Sequence, residues 1–209
     1  MSKTIKKQQL LFFATGNPNK LKEVQHILRD YPLEIRGVDL KGKELQGETV
    51  EEIAEASVLH AYKKIGKTIF TEDTGLFIKQ LNGFPGPFSS YVYKTIGIAG
   101  VLKLLASVQD RSAEFRSAVA FCAPDMPSIC FLGISSGKIS VKEQGTSGFG
   151  FDPIFKPDEG QNKTFAEMEL EEKNQISHRT RSVIKLITWY LSQHKYSTDI
   201  SFGCNDETK

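Results

Sequence analysis

Apolar positions switch between two periods along the chain, and the switches mark out an α/β protein. Leu10 to Thr15 is a short apolar run that predicts a buried strand. Lys20 to Leu28 follows at helical spacing, with Leu21, Val24 and Leu28 on one face. Leu33 to Val38 predicts a second strand. Val50, Ile53, Ala54, Ser57, Val58, Ala61 and Ile65 make Thr49 to Ile65 the clearest amphipathic helix of the first half. Thr68 to Thr71 and Leu76 to Leu81 read as two strands flanking an acidic patch, and Gly83 to Pro87 as a rigid loop. Ile98 to Ser107 predicts a helix. Arg111 to Ala123, Ile129 to Ile134 and Lys138 to Lys142 read as strands, with a turn at Ser136-Gly137. Phe149 to Phe155 begins as a turn and ends as a strand. Ser177 to Gln193 closes the pattern as a helix capped by Ser177, with Thr180, Val183, Ile184, Ile187 and Leu191 on one face. Strands, helices and then several strands in a row predict a mixed sheet with flanking helices and two lobes. Residues 1–193 are expected to form one domain and residues 194–209 a polar tail.

The 209 residues suffice for a sizeable core, and 39% hydrophobic with 25% charged residues are globular values. A net charge of only +2 argues against a broad nucleic-acid-binding face, so a phosphate ligand would be held locally. Lys3 to Lys7 followed by Leu10-Leu11-Phe12-Phe13-Ala14 resembles a signal peptide only superficially, because the apolar run is short and ends in Gly16-Asn17-Pro18. No stretch reaches the roughly 20 apolar residues of a membrane span. A cytoplasmic protein with no membrane partner is expected. Cys122, Cys130 and Cys204 lack zinc spacing and are expected to be free thiols.

Four polar patches interrupt this apolar chain. Thr15-Gly16-Asn17-Pro18-Asn19-Lys20 joins a strand to a helix: Asn17 suits the N-cap, Pro18 the first helical position, and Lys20 adds a charge. Free N–H groups there would face an anion, although an ordinary capped turn has the same residues. No Walker A pattern is present. Glu72-Asp73-Thr74-Gly75 offers hard oxygen ligands suited to magnesium, and Glu44 is a second candidate carboxylate. Adjacent strand residues point to opposite faces, so only one of Glu72 and Asp73 is expected to reach a common site. Gly148-Phe149-Gly150-Phe151-Asp152-Pro153 brackets two rings with glycines, leaving room for a flat ligand to stack, or for two core rings. Ser177-His178-Arg179 places cations at a helix start, where a positive charge costs about 0.3–1 kcal/mol and needs a reason. Arg179 and His178 can donate to a keto oxygen but not to an amino group, and Lys173 lies a turn upstream.

In order, the motifs ATGNPNKLKEV, ELQG, EDTGLFIKQLNGFPGPFSSYV, GFGFDPIF, TFAEM and EEKNQISHR resemble those of the inosine triphosphate pyrophosphatases, the Ham1-like family. The match runs from about Leu11 to Leu191. The resemblance implies an elongated α/β fold with a central mixed sheet and a substrate cleft between lobes. It also implies hydrolysis of ITP, dITP and XTP to the monophosphate and pyrophosphate, with Mg2+, in a homodimer. Carried over by motif, Thr15, Gly16, Asn17, Pro18, Asn19 and Lys20 would cradle the triphosphate. Glu44 and Asp73 would serve the metal and the attacking water, with Asp73 as base or ligand, Glu72 beside it, and Thr74 touching substrate. Phe149 would stack on the base, with Gly150, Phe151 and Asp152 completing its pocket. Lys173, His178 and Arg179 would contact phosphate and the 6-keto edge.

The chain departs from that pattern twice. The helix after ELQG lacks the family's lysine, leaving His60, Lys63 and Lys64 nearby, and Ser90 stands where some members have lysine. Two other readings stand beside this one. A non-catalytic nucleotide-binding module would bind without releasing pyrophosphate, and Glu44 with Asp73 argues against it. A Maf-like pyrophosphatase acting on pyrimidine or modified nucleotides is disfavoured by the Ser-His-Arg and Gly-Phe-Gly-Phe-Asp motifs.

Overall fold

The first apolar run becomes Gln9–Ala14 (β1), with Leu11 and Phe13 fully buried on one side and Phe12 on the other. The computed structural model describes residues 9–40 and 45–199. After β1 come Pro18–Ile27 (α1), Leu33–Val38 (β2), Val50–Ile65 (α2), Ile69–Ile78 (β3), Pro85–Gly86 (β4), Ser89–Thr95 (α3) and Gly97–Leu104 (α4). Ser112–Cys122 (β5), Ile129–Ile139 (β6), Phe155–Pro157 (β7), Leu170–Ile176 (α5) and His178–Asp199 (α6) complete the described chain. The strands form one mixed sheet in the order β2-β1-β3-β5-β6-β7, with β4 paired to β3. β1 runs parallel to β2 and β3, and the remaining pairings are antiparallel.

Three elements differ from the expected pattern. Glu72 to Gly75 is no gap between strands: β3 runs through it, because β5 supplies a partner at every position from Ile69↔Cys122 to Ile78↔Ala113. Ser136-Gly137 is no turn, since β6 continues to Ile139 with Gly137 between Ala113 and Pro157. A Cβ at Gly137 would lie 2.2 Å from the Lys156 carbonyl, so the glycine serves close approach of β7. The last helix passes Gln193 and extends to Asp199, so the expected tail begins later than residue 194; residues 200–209 and Cys204 lie outside the described residues. The helices α3 and α5 have no counterpart in the expected pattern.

Alternation along β3 and β5 positions the site. Phe70, Glu72, Thr74, Leu76 and Ile78 share one face of β3, and Phe115, Ser117, Val119 and Phe121 share the matching face of β5. At one end of that face Phe70, Val119 and Phe121 pack with Val24 of α1, Leu28 just after it, and Val183, Leu186 and Ile187 of α6. At the other end Leu76, Ile78 and Phe115 pack with Phe151, Phe155 and Phe165. Fully burying such a side chain contributes about 1.5–3 kcal/mol. Between the two apolar clusters the strands present Glu72, Thr74 and Ser117. The opposite face belongs to α2, whose Val50, Ala54, Val58 and Ala61 cover Ile69, Ala118 and Ala120.

Candidate active site

The polar gap between the two clusters is filled by charges from four directions. From α1, Lys20 Nζ reaches the Glu72 carboxylate at 2.8 Å and the Glu72 carbonyl at 3.1 Å. From α6, Arg179 faces Glu72 at 3.2 Å, donates to Thr74 Oγ1 at 3.2 Å and grips the Glu23 carboxylate. Glu23, on α1, also receives Lys173 Nζ of α5 at 2.8 Å. Lys173 in turn donates to Asp152 Oδ2 at 2.6 Å, which accepts the Phe149 backbone N–H at 2.8 Å. Beneath them Ser117 Oγ donates to Glu72 Oε1 at 2.6 Å and meets Ser182 Oγ at 2.8 Å, and Thr74 donates to the same carboxylate.

The electrostatics follow from burial against pairing. Burial alone would raise the Glu72 carboxyl, but Arg179, Lys20 and the Ser117 hydroxyl hold it far below the usual carboxylate range. Burial would likewise raise Glu23, and Arg179 with Lys173 keeps it low. Burial would lower Arg179; Glu72 and Glu23 lift it above its ordinary value instead. For Asp152 burial prevails, and its carboxyl is raised despite Lys173. His178 is pushed well down by burial, helped by the Arg179 and Lys173 charges, so its ring is neutral. The cation at a helix start therefore has its reason: Arg179 is 1% exposed and lies between two ionised carboxylates.

The structure sorts the sequence-derived residues. Lys20, Glu72, Thr74, Asp152, Lys173 and Arg179 converge. Phe149 joins them half-buried, its ring 5.1 Å from Lys173 Nζ and 5.5 Å from the Arg179 guanidinium. Phe151 does not: it is 3% exposed in the apolar cluster, edge-on to Tyr93 at 5.5 Å. The turn at Gly150, with φ 62°, swings the two rings apart, so they do not share a face. His178 is 2% exposed and stacked on Phe115 at 4.6 Å, beneath the site rather than at an open helix end. Asp73 belongs to the α2 side of β3, the side from which Thr71 Oγ1 donates to the Ala54 carbonyl at 2.8 Å. Thus Glu72, not Asp73, is the strand carboxylate that meets Lys20 and Arg179.

The Thr15–Lys20 turn also differs from the expected nest of free donors. Asn17 caps α1 and Pro18 occupies its first turn, as its sequence suggests. The cap itself consumes the N–H groups of Asn19 (2.9 Å) and Lys20 (3.3 Å), while Thr15 Oγ1 accepts that of Asn17 at 3.1 Å. Gly16, Pro18 and Asn19 are exposed. Glu44 lies outside the described residues. His60, Lys63, Lys64 and Ser90 are all exposed.

Two features escaped the sequence reading. Glu23 sits in an amphipathic helix where a glutamate reads as surface, and only the arrival of α5 and α6 buries it to 4% exposure. Ser117 falls mid-strand without any motif; the signal available was a polar residue on the apolar-facing register of β5.

Residues 11–189 match the model of the Ham1 family. A dITP/XTP pyrophosphatase of Methanothermobacter marburgensis is 47% identical over 183 residues, covering 88% of this chain and 97% of that protein. A dITP/XTP pyrophosphatase of Pyrococcus horikoshii is 42% identical over 186 residues, covering 89% and 99%. Among solved structures, a HAM1 protein from Coxiella burnetii superposes with a TM-score of 0.77 at 32% identity, covering 88% of this chain and 99% of that one. The chain belongs to the Ham1 family.

Proposed function

We propose that the chain hydrolyses purine nucleoside triphosphates bearing a 6-keto base, namely ITP, dITP and XTP, to the monophosphate and pyrophosphate. The carrying observation is the polar gap itself: Arg179, Lys173 and Lys20 are held by carboxylates beside the half-buried Phe149 ring, in a chain whose relatives are dITP/XTP pyrophosphatases. Phe149 supplies a stacking face for the base, and Asp152 fixes the turn that carries it. Donors without acceptors, Arg179 foremost, suit a keto oxygen and find no match in an amino group. Lys20, which contacts Glu72, and the Thr15–Asn19 turn before it, with Gly16, Pro18 and Asn19 exposed, would hold the phosphates.

Magnesium is the metal this reading requires. The donor set fits it only in part: Glu72 is committed to cations, and the described residues contain no cluster of three or more side chains able to hold a metal. Mg2+ is content with one or two carboxylates plus substrate phosphates; the candidates outside the Lys20–Arg179 network are the half-buried Asp73, on the α2 side of β3, and Glu44, so this reading needs the phosphates to extend to that side of the strand. Bound there, it would neutralise charge developing on the leaving pyrophosphate. Asp73 would also orient the attacking water.

We further read residues 1–193 as one catalytic domain of two lobes, assembled as a homodimer. We place it in the cytoplasm, in keeping with the free thiols of Cys122 and Cys130. A panel of nucleoside triphosphates with magnesium, assayed separately for pyrophosphate and orthophosphate, tests the activity. ITP, dITP and XTP should release pyrophosphate with kcat/KM on the order of a hundredfold or more above ATP. Asp73→Asn should lose turnover while keeping part of its nucleotide affinity. Orthophosphate as direct product, or equal efficiency on ATP, defeats the reading.

A further inference from the structure

Ser117 of β5 and Ser182 of α6 are fully buried, and their hydroxyls meet at 2.8 Å beneath the charged gap. Side chains this short meet because the neighbouring strand gives way. Ser117 is paired with Gly133 of β6, and a Cβ on Gly133 would lie 2.4 Å from the Ser182 nitrogen. The first turn of α6 therefore rests directly on the β6 backbone. Counting hydrogens fixes the direction of the bonds, since each serine has one proton to give. Ser117 gives its proton to Glu72 Oε1 at 2.6 Å, so it accepts in its contact with Ser182. Ser182 has two acceptors within reach, Ser117 Oγ and the Arg179 carbonyl at 3.0 Å. Arg179 closes the circuit. Its guanidinium faces Glu72 Oε1 at 3.2 Å and donates to Thr74, whose hydroxyl goes to that same oxygen. A ring of contacts thus runs from the Arg179 side chain through Glu72, Ser117 and Ser182 back to the Arg179 backbone.

We propose that Ser117 and Ser182 are positioning residues that set base selectivity, by holding the Glu72 carboxylate, and with it the Arg179 guanidinium, in one orientation. The inference rests on the reading of Arg179 as the donor to a 6-keto edge, and it deepens that reading. The last torsion of a glutamate is broad, with no staggered well to fix the plane of its carboxylate. Coulomb attraction to Lys20 and Arg179 depends on distance and leaves that angle open. The Ser117 hydroxyl supplies the missing direction, through a hydrogen bond strengthened by the ionised acceptor. Direction is what selectivity needs. A guanidinium N–H that tilts away from a keto oxygen weakens steeply as the bond bends towards about 120°. Removing either serine hydroxyl changes no charge, so attraction for the phosphates is kept while discrimination between keto and amino groups is lost.

Steady-state pyrophosphate release from ITP and from ATP tests the proposal. Ser117→Ala should lower the ratio of kcat/KM for ITP over ATP on the order of tenfold, chiefly by raising KM for ITP. Ser182→Ala leaves the Ser117–Glu72 bond in place and should lower the ratio about threefold. The double variant should lose less than the product of the two, because Ser182 acts through Ser117. Ser117→Thr returns a hydroxyl and should restore most of the ratio. Ser192→Ala removes another α6 serine, which donates to the Trp189 carbonyl about 15 Å further along the helix, and should leave the ratio unchanged. A thermal melt of each variant separates folding from selectivity. An unchanged ratio in folded Ser117→Ala overturns the proposal, and so do equal losses on ITP and ATP, which signify a purely structural role. Where Ser117→Ala fails to fold, Ser182→Ala decides by the same two criteria. A wild type without preference for ITP defeats the reading of Arg179 and this proposal together. A wild-type preference that survives in both alanine variants defeats the role of the serines alone.

Discussion

Glu23 illustrates how a single carboxylate can hold a site together. It is buried and ionised only because Lys173 and Arg179, from two other helices, converge on it. Removing one partner of a buried pair leaves uncompensated charge and costs about 3–5 kcal/mol. Glu23→Gln keeps the volume but discards the charge, so two buried cations lose their shared counter-ion. Its thermal midpoint should fall on the order of 10 °C in a chain of this length. A midpoint within experimental error of the wild type would mean that water, rather than Glu23, balances those cations. This residue was not legible in the sequence. The motifs named Lys173 and Arg179 but could not say what made their burial tolerable. Glu72 and Asp73 show the same limit: alternation says that one of the two faces the site, and only the flanking helices decide which.

Among the elements, β6 and α6 fit closely enough to leave no room for a side chain. A Cβ on Gly133 would lie 2.2 Å from the His178 carbonyl and 2.4 Å from the Ser182 nitrogen, both backbone atoms with no room to yield. Gly133→Ala should push the first turn of α6 off the sheet, at a cost of about 1–3 kcal/mol. Because that turn carries Arg179, KM for ITP should rise as the denaturant midpoint falls. A variant that loses stability without any change in KM would show that the turn can shift without disturbing the site. At this scale the sequence was largely readable. Helices α1, α2 and α6 appeared through their apolar stripes; Asn17 and Ser177 occupy the caps expected of them, and Thr49, read as the first residue of α2, is its cap. The failures share one cause. Polar residues in β3, Ser136-Gly137 in β6 and the mixed Ser-Ser-Tyr-Val-Tyr of α3 look like loop or strand locally, and tertiary pairing overrides that local preference.

For the whole molecule, the shifted titrations predict an acid-sensitive fold. His178 is neutral when folded, with its pKa well below the ordinary 6.5, so the unfolded chain binds a proton first as pH falls below that value. Stability should therefore decline from about pH 6.5 downward. Glu23 and Glu72 are depressed below 4.5; their contribution is complete above that pH and is lost as pH falls toward their folded values. Asp152, with a raised pKa, works in the opposite sense and softens the lower step. Thermal melts from neutral to acid pH should show two stages, and His178→Gln should remove the upper one. A wild-type midpoint flat from neutral to pH 5 would contradict the burial of His178.

The salt-bridged seam between the two apolar clusters has one more consequence. Lys20, Lys173 and Arg179 stand against Glu23, Glu72 and Asp152, and their formal charges cancel. A polyanion approaching such a wall meets no surplus of positive potential to draw it in from afar. Capture then depends on short-range fit and directed donors, which dissolved ions shield far less than they shield a long-range field. A scavenger of rare nucleotides among abundant ones is well served by that arrangement, since bulk attraction would fill the cleft with whichever triphosphate was commonest.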